Sequence, residues 1–88
     1  MKTFSDKLKF EKVHKSSDNW RCVKFVDSRN EKGYSEYQVF FGTKNIEFID
    51  SLKVGDEFVC ERNEYQKRKD GEYRTVVIYK LGKPRYKS

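Results

Sequence analysis

Apolar residues recur in this chain in short alternating runs separated by polar, often glycine-bearing breaks, the pattern of a small sheet protein. Lys7 to Lys15 opens the series. Leu8 and Phe10 alternate there, and Val13 then falls on the opposite parity, so a bulge is predicted near Glu11-Lys12. The residues before it, Met1 to Asp6, read as a frayed end. Ser16-Ser-Asp-Asn19 is turn chemistry. Trp20 to Asp27 follows as a second strand. Val23 and Phe25 are assigned inward, because an interior tolerates Lys24 badly, and this turns Trp20 and Lys24 outward together. Ser28 to Gly33 is a polar connection without a core residue and is expected to be mobile. Tyr34 to Phe41, rich in aromatic and β-branched residues, is the third strand. Its two parities, Tyr34-Glu36-Gln38-Phe40 and Ser35-Tyr37-Val39-Phe41, are not separated by pattern alone.

The period then changes. Gly42 breaks the strand, Thr43 is a candidate N-cap, and the apolar positions 46, 48, 49 and 52 predict a short amphipathic helix over Lys44 to Leu52. Lys53 is placed where a cation suits a helix C-terminus. Val54-Gly55-Asp56 reads as a turn, with Gly55 supplying a positive φ. A fourth strand runs from Glu57 to about Tyr65, Gln66 to Gly71 is a hairpin loop with an Asp-Gly turn signal, and a fifth strand covers Glu72 to about Leu81. Gly82 to Ser88 is too polar to pack. Five strands with one helix between the third and fourth define an all-β fold of the OB type, a small barrel. Residues 1–88 are read as one domain with flexible tails at 1–6 and 82–88.

At this point a resemblance becomes specific. Tyr37-x-Val39-x-Phe41-Gly42, the helix, Lys53-Val54-Gly55-Asp56 and Asp70-Gly71-Glu72-Tyr73-Arg74-Thr75-Val76-Val77, in that order, resemble the C-terminal half of bacterial single-stranded-DNA-binding proteins over Tyr34 to Tyr79. The resemblance implies that Tyr37 and Phe41 share the nucleic-acid side while Phe40 faces in. It implies a cytoplasmic protein of DNA replication or a related process. The departures matter too. Ser35 stands where the family places a stacking tryptophan, the strand 4–5 loop is shorter and lacks its tryptophan, and the first strand does not follow the family pattern. The chain closes on Lys83-Pro-Arg-Tyr-Lys-Ser88 where the family carries a long segment with an acidic tip, so recruitment of partners through such a tip is not implied. A compact phage, plasmid or mobile-element (viral) relative fits these truncations by analogy.

Composition narrows the picture. With 88 residues, 39% of them charged, the core must be small, and aromatics at 16% carry much of the available apolar area. No apolar run is long enough for a membrane span, and no signal-peptide core follows Met1. Cys22 and Cys60 are read as buried free thiols in strands, consistent with a reducing cytosol of a bacterium or an infected host. Net charge is +6. Residues 1–61 hold 11 Lys/Arg and 11 Asp/Glu, whereas residues 62–88 hold 9 against 3, so the whole surplus lies in the last third. That asymmetry suits a polyanion, or else a solubilising tail.

Catalytic chemistry finds little support. His14 is the only histidine and reads as a strand-edge residue, with no Ser-His or Cys-His pairing, no phosphate loop and no metal-ligand spacing. The reading is therefore of a non-enzyme without a cofactor. Unpaired bases stack on rings while their phosphates seek fixed cations. Trp20, Lys24, Tyr37 and Phe41 on strands two and three, with Tyr65, Lys67, Arg68, Lys69, Tyr73 and Arg74 around the strand 4–5 hairpin, are the candidate nucleic-acid-binding residues. Each ring has a plainer alternative as core or barrel-end filler. Single-stranded DNA is the expected partner. RNA, or an acidic protein bound to the same face, are the alternatives, and an open barrel edge offers one place for a homodimer to form.

Overall fold

A computed structural model describes residues 2–81. Five strands and one helix follow in the order β1 (Lys2–Ser16), β2 (Trp20–Asp27), β3 (Ser35–Phe41), α1 (Thr43–Asp50), β4 (Glu57–Lys69) and β5 (Glu72–Leu81). All pairings are antiparallel, and the sheet order is β3-β2-β1-β4-β5. The sheet curls until its two outer strands meet without a backbone ladder. Gln38 and Glu36 of β3 reach across instead: Gln38 Oε1 accepts from the Tyr79 amide at 3.4 Å, and the Tyr79 hydroxyl lies 2.9 Å from Glu36 Oε2. The result is a nearly closed five-stranded barrel of the OB type with one open seam. Among the described residues no helix is long and apolar enough to cross a membrane.

The curl depends on irregularities in β1. Its register against β2 shifts between Phe10 and Lys12, at the predicted bulge, and again between Val13 and Lys15. The Val54-Gly55-Asp56 turn docks beside the first shift: the Gly55 amide donates to the Phe10 carbonyl at 2.9 Å and the Phe10 amide to the Asp56 carbonyl at 2.8 Å. Gly55 sits at φ +91, a backbone state that a Cβ would strain. The helix starts one residue earlier than predicted. Gly42, not Thr43, holds the N-cap position and makes no side-chain cap. Leu52 lies past the last helical residue, in a closing turn whose amides bond Phe48 and Ile49. Lys53 is outside the last turn, and its amide donates to the Asp56 carboxylate at 2.8 Å. Arg21 ties the helix to β2 through both oxygens of Asp50, at 3.1 and 3.2 Å.

Two further expectations are corrected. Lys2 to Asp6 is strand, paired with Glu64 to Cys60, not a frayed end; Met1 and residues 82–88 lie outside the described residues. Its inward side chains are an aromatic and a carboxylate with partners: Phe4 lies under the Arg62 guanidinium, 4.2 Å from the ring centroid, and Asp6 accepts from Arg62 at 2.7 Å. Alternation with an acid in the inward place does not look like strand in the sequence. Likewise Gln66 to Lys69 is strand rather than loop, paired with Thr75 to Glu72, and only Asp70-Gly71 turns. Both turn residues have positive φ, +53 and +80, the geometry that lets two residues join twisted strands.

The interior has two chemically different ends. Under the helix it is apolar, with Phe10, Val23, Phe40, Ile49 and Phe58 buried and Leu52 packed against them. At the other end stand Asp6, Asp27, Glu36, Glu64, Arg29, Arg62 and Tyr79, of which Asp27, Arg62 and Tyr79 are buried. Arg29 Nε lies 3.3 Å from Asp6 and 3.2 Å from Asp27, and Arg62 also binds Glu64. The Tyr79 hydroxyl, 3.1 Å from Asp27 and 2.9 Å from Glu36, has one proton for two carboxyls. The second bond therefore needs a protonated acid. Burial, reinforced by the adjacent Asp6, raises the Asp27 pKa, so of Asp6 and Asp27 it is the one more readily protonated. Asp6 is itself penalised by burial, yet its bonds to Asp27 and Arg62 and the Arg29 charge outweigh that and hold its pKa low. Tyr79, buried and against Glu36, is pushed well above the usual phenol range. No buried side-chain polar atom among the described residues lacks a partner.

Candidate nucleic-acid interface

Parity within β2 and β3 sets the outer wall. Val23 and Phe25 are fully buried, so Trp20, Cys22, Lys24 and Val26 face out. On β3 Phe40 is buried, while Tyr37 and Phe41 are 51% and 61% exposed. The register then puts Trp20 beside Phe41, Cys22 beside Val39 and Lys24 beside Tyr37. Four sequence-predicted residues are thus brought onto one wall, two rungs apart. Gln38, on the inward parity, is placed by its seam bond to the Tyr79 amide.

Sequence reasoning missed four members of this wall. The second shift in β1 leaves His14 outside the ladder, and its ring meets Tyr37 edge-on with centroids 5.0 Å apart. Glu11, at the first shift, lies 3.2 Å from Lys24 and accepts from the Ser35 hydroxyl at 2.7 Å. The Ser35 bond and Lys24 together lower the Glu11 pKa, so the carboxylate stays charged. Lys24 is therefore already partnered and is not a free phosphate ligand. Lys12 and Lys15, facing Lys24 and Cys22 across the ladder, supply cations that make no ion pair among the described residues. The parity slip after Phe10 was the signal for this regrouping. The second slip left no mark on the apolar pattern.

The thiols differ. Cys60 is buried and its Sγ donates to the Lys80 carbonyl at 3.0 Å; burial pushes its pKa up to about 12, an inert group. Cys22 is half-buried on the outer wall, contrary to the expected burial, because it shares the parity of Trp20 and Lys24. Both are free.

The other predicted residues form a separate group. Pairing of β1 with β4 reaches Lys2 and Glu64, whereas β4 and β5 stay paired out to Lys69 and Glu72. Tyr65 to Val76 therefore makes a two-stranded ribbon, roughly 17 Å long at the usual rise per residue. Alternation splits its side chains. Tyr65, Lys67, Lys69 and Arg74 share the outer face, and Arg68 and Tyr73 share the opposite one. Tyr73 is 69% exposed. The three consecutive cations thus do not form one patch. Phe41 on β3 and the ribbon of β4 and β5 are separate in the ladder, with β2 and β1 between them.

Among the described residues no group of three or more His, Cys, Asp or Glu side chains is arranged to hold a metal ion. No protein-family model, curated protein or solved structure matches the chain.

Proposed function

We propose that the protein binds single-stranded DNA with little sequence preference, stacking bases on the outer wall of β2 and β3 while basic side chains hold the phosphates. One observation carries this reading: half-buried Trp20 beside exposed Phe41, and exposed Tyr37 beside His14, gather rings on one outer wall of the barrel. Every base has a π-face, so such a wall is tolerant of sequence, and each ring is worth about 1–3 kcal/mol to binding. Lys12 and Lys15 beside the wall, and Lys67, Lys69 and Arg74 on the ribbon, supply charge. The likeness to bacterial single-stranded-DNA-binding proteins over Tyr34 to Tyr79 points the same way and rests on sequence motifs alone.

Titration with oligo-dT tests it directly, because Trp20 is the only tryptophan and its emission reports on stacking. Quenching is expected, with affinity that falls steeply with salt as counterions are released. Phe41→Ala should weaken binding by about 1–3 kcal/mol. Absence of quenching at low salt, with co-purification of an acidic protein, would favour a protein-binding wall. Tighter binding of oligo-rU than of oligo-dT would make RNA the ligand.

A further inference from the structure

The rings on β2 and β3 and the cations of the ribbon are separated by the open seam and by β5. The surface between them is depressed. A cleft of about 520 Å³ lies over the seam, with Val39, Phe41 and Asn45 on one side and Ile78 and Lys80 on the other. A second hollow, about 140 Å³, begins at those same two β5 residues and ends at Asn63 and Tyr65. The two hollows therefore adjoin along β5 at Ile78 and Lys80. Beyond Tyr65 the outer face continues by register alone: Tyr65 is opposite Val76, and the next rung on that face is Lys67 opposite Arg74. Lys80 is exposed and makes no ion pair among the described residues, although Glu61 is opposite it in the ladder.

We propose that the two hollows and the ribbon face beyond Tyr65 form one path, the second half of the binding site, an inference that rests on the single-strand reading above. The strand leaves the β2–β3 wall at Phe41 and crosses the seam, where Lys80 holds a phosphate. It then stacks a base on Tyr65 and ends between Lys67 and Arg74. Its chemistry fits a flexible polyanion: an apolar floor of Val39 and Ile78 for base faces, bordered by cations spaced along one side. A folded acidic protein would need a broader complementary patch than a cleft one strand wide. The same geometry leaves Arg68 and Tyr73 out, since they occupy the opposite face of the ribbon.

Oligo-dT of ~4 and ~12 nucleotides, within the range of site sizes for such folds, separates the two halves. Wild-type protein should bind the longer oligomer more tightly. Lys80→Glu should lose at least about tenfold on the longer oligomer and less than about twofold on the shorter one, a charge reversal acting on one phosphate contact. Lys67→Glu should behave like it, whereas Arg68→Glu, the same charge change one residue away, should cost less than about threefold. Unchanged melting temperatures confirm that the exposed substitutions leave the fold intact. The path is refuted if Lys80→Glu holds the longer oligomer as wild type does, or if Arg68→Glu does as much harm as Lys67→Glu. Quenching of Trp20 by the shorter oligomer, read in the same samples, tests the wall independently of the path.

Discussion

The two ends of the barrel interior achieve closure by opposite means. Beneath the helix, Phe10, Phe40, Ile49 and Phe58 fill space with apolar volume that needs no particular partner. At the far end Asp6, Asp27, Arg29, Arg62 and Tyr79 fill it with polar and ionisable groups, and every group there depends on its neighbours being present and correctly protonated. The first kind of packing degrades gradually when a side chain is trimmed. The second fails when one member is removed, because the others remain buried without a counter-charge. The two ends meet at Phe25 and Tyr79, whose rings touch edge-on at 4.9 Å. Closure of the seam belongs to the charged end, since Tyr79 makes both hydrogen bonds that join β3 to β5.

This contrast can be broken in order of effect. Arg62→Ala strands Asp6 and Glu64 and should cost about 3–5 kcal/mol in urea denaturation. Removing Asp6 as well should recover part of that loss. If the double variant is as unstable as the sum of the singles, the charged end is not a network. Ile49→Ala, at the apolar end, should cost about 2–5 kcal/mol and leave the pH dependence of stability unaltered.

Asp27→Asn addresses protonation. Asp27 has a folded pKa above its ordinary 3.8, so the native state retains a proton that the unfolded chain has released. Its contribution is complete below pH 3.8 and is lost as pH rises through the folded value. Asp6 runs the other way, contributing above 3.8 and losing it as pH falls through its depressed value. The amide cannot titrate, so the decline on the alkaline side should flatten in Asp27→Asn while the acid limb, set by Asp6, remains. Superimposable pH profiles for the two proteins would show that the proton sits elsewhere. The smallest effect belongs outside both ends. Lys67→Ala and Lys69→Ala, on the exposed ribbon, should each shift stability by less than about 0.5 kcal/mol.

Much of this architecture is legible in the chain. Alternation at Val23 and Phe25, the helical spacing of 46, 48, 49 and 52, and Gly55 and Gly71 at turns set the element order, because each is a local signal. The bulge after Phe10 is legible for the same reason. What stays hidden is non-local. Asp6 and Asp27 look like solvent-facing acids until Arg62, remote in sequence, is folded against them. Glu11 gives no sign that it will occupy Lys24, since their approach depends on how β1 slips past β2. The outer wall is half legible: parity sets Trp20 and Lys24 together, but His14 joins them only through a second slip. The ribbon reads as a loop because a strand of Gln, Lys and Arg has no apolar face to announce it.

The unladdered seam carries a consequence for behaviour in concentrated solution. A ring of strands that is fastened by a phenol and an amide side chain keeps two rows of main-chain donors and acceptors within reach of another molecule. Conditions that disturb Tyr79 would then release a curved ribbon of sheet with both margins exposed, a template on which further copies can add strand by strand. Persistence of the closed ring is thus tied to two side-chain fastenings at Tyr79, on the same seam that the proposed path crosses.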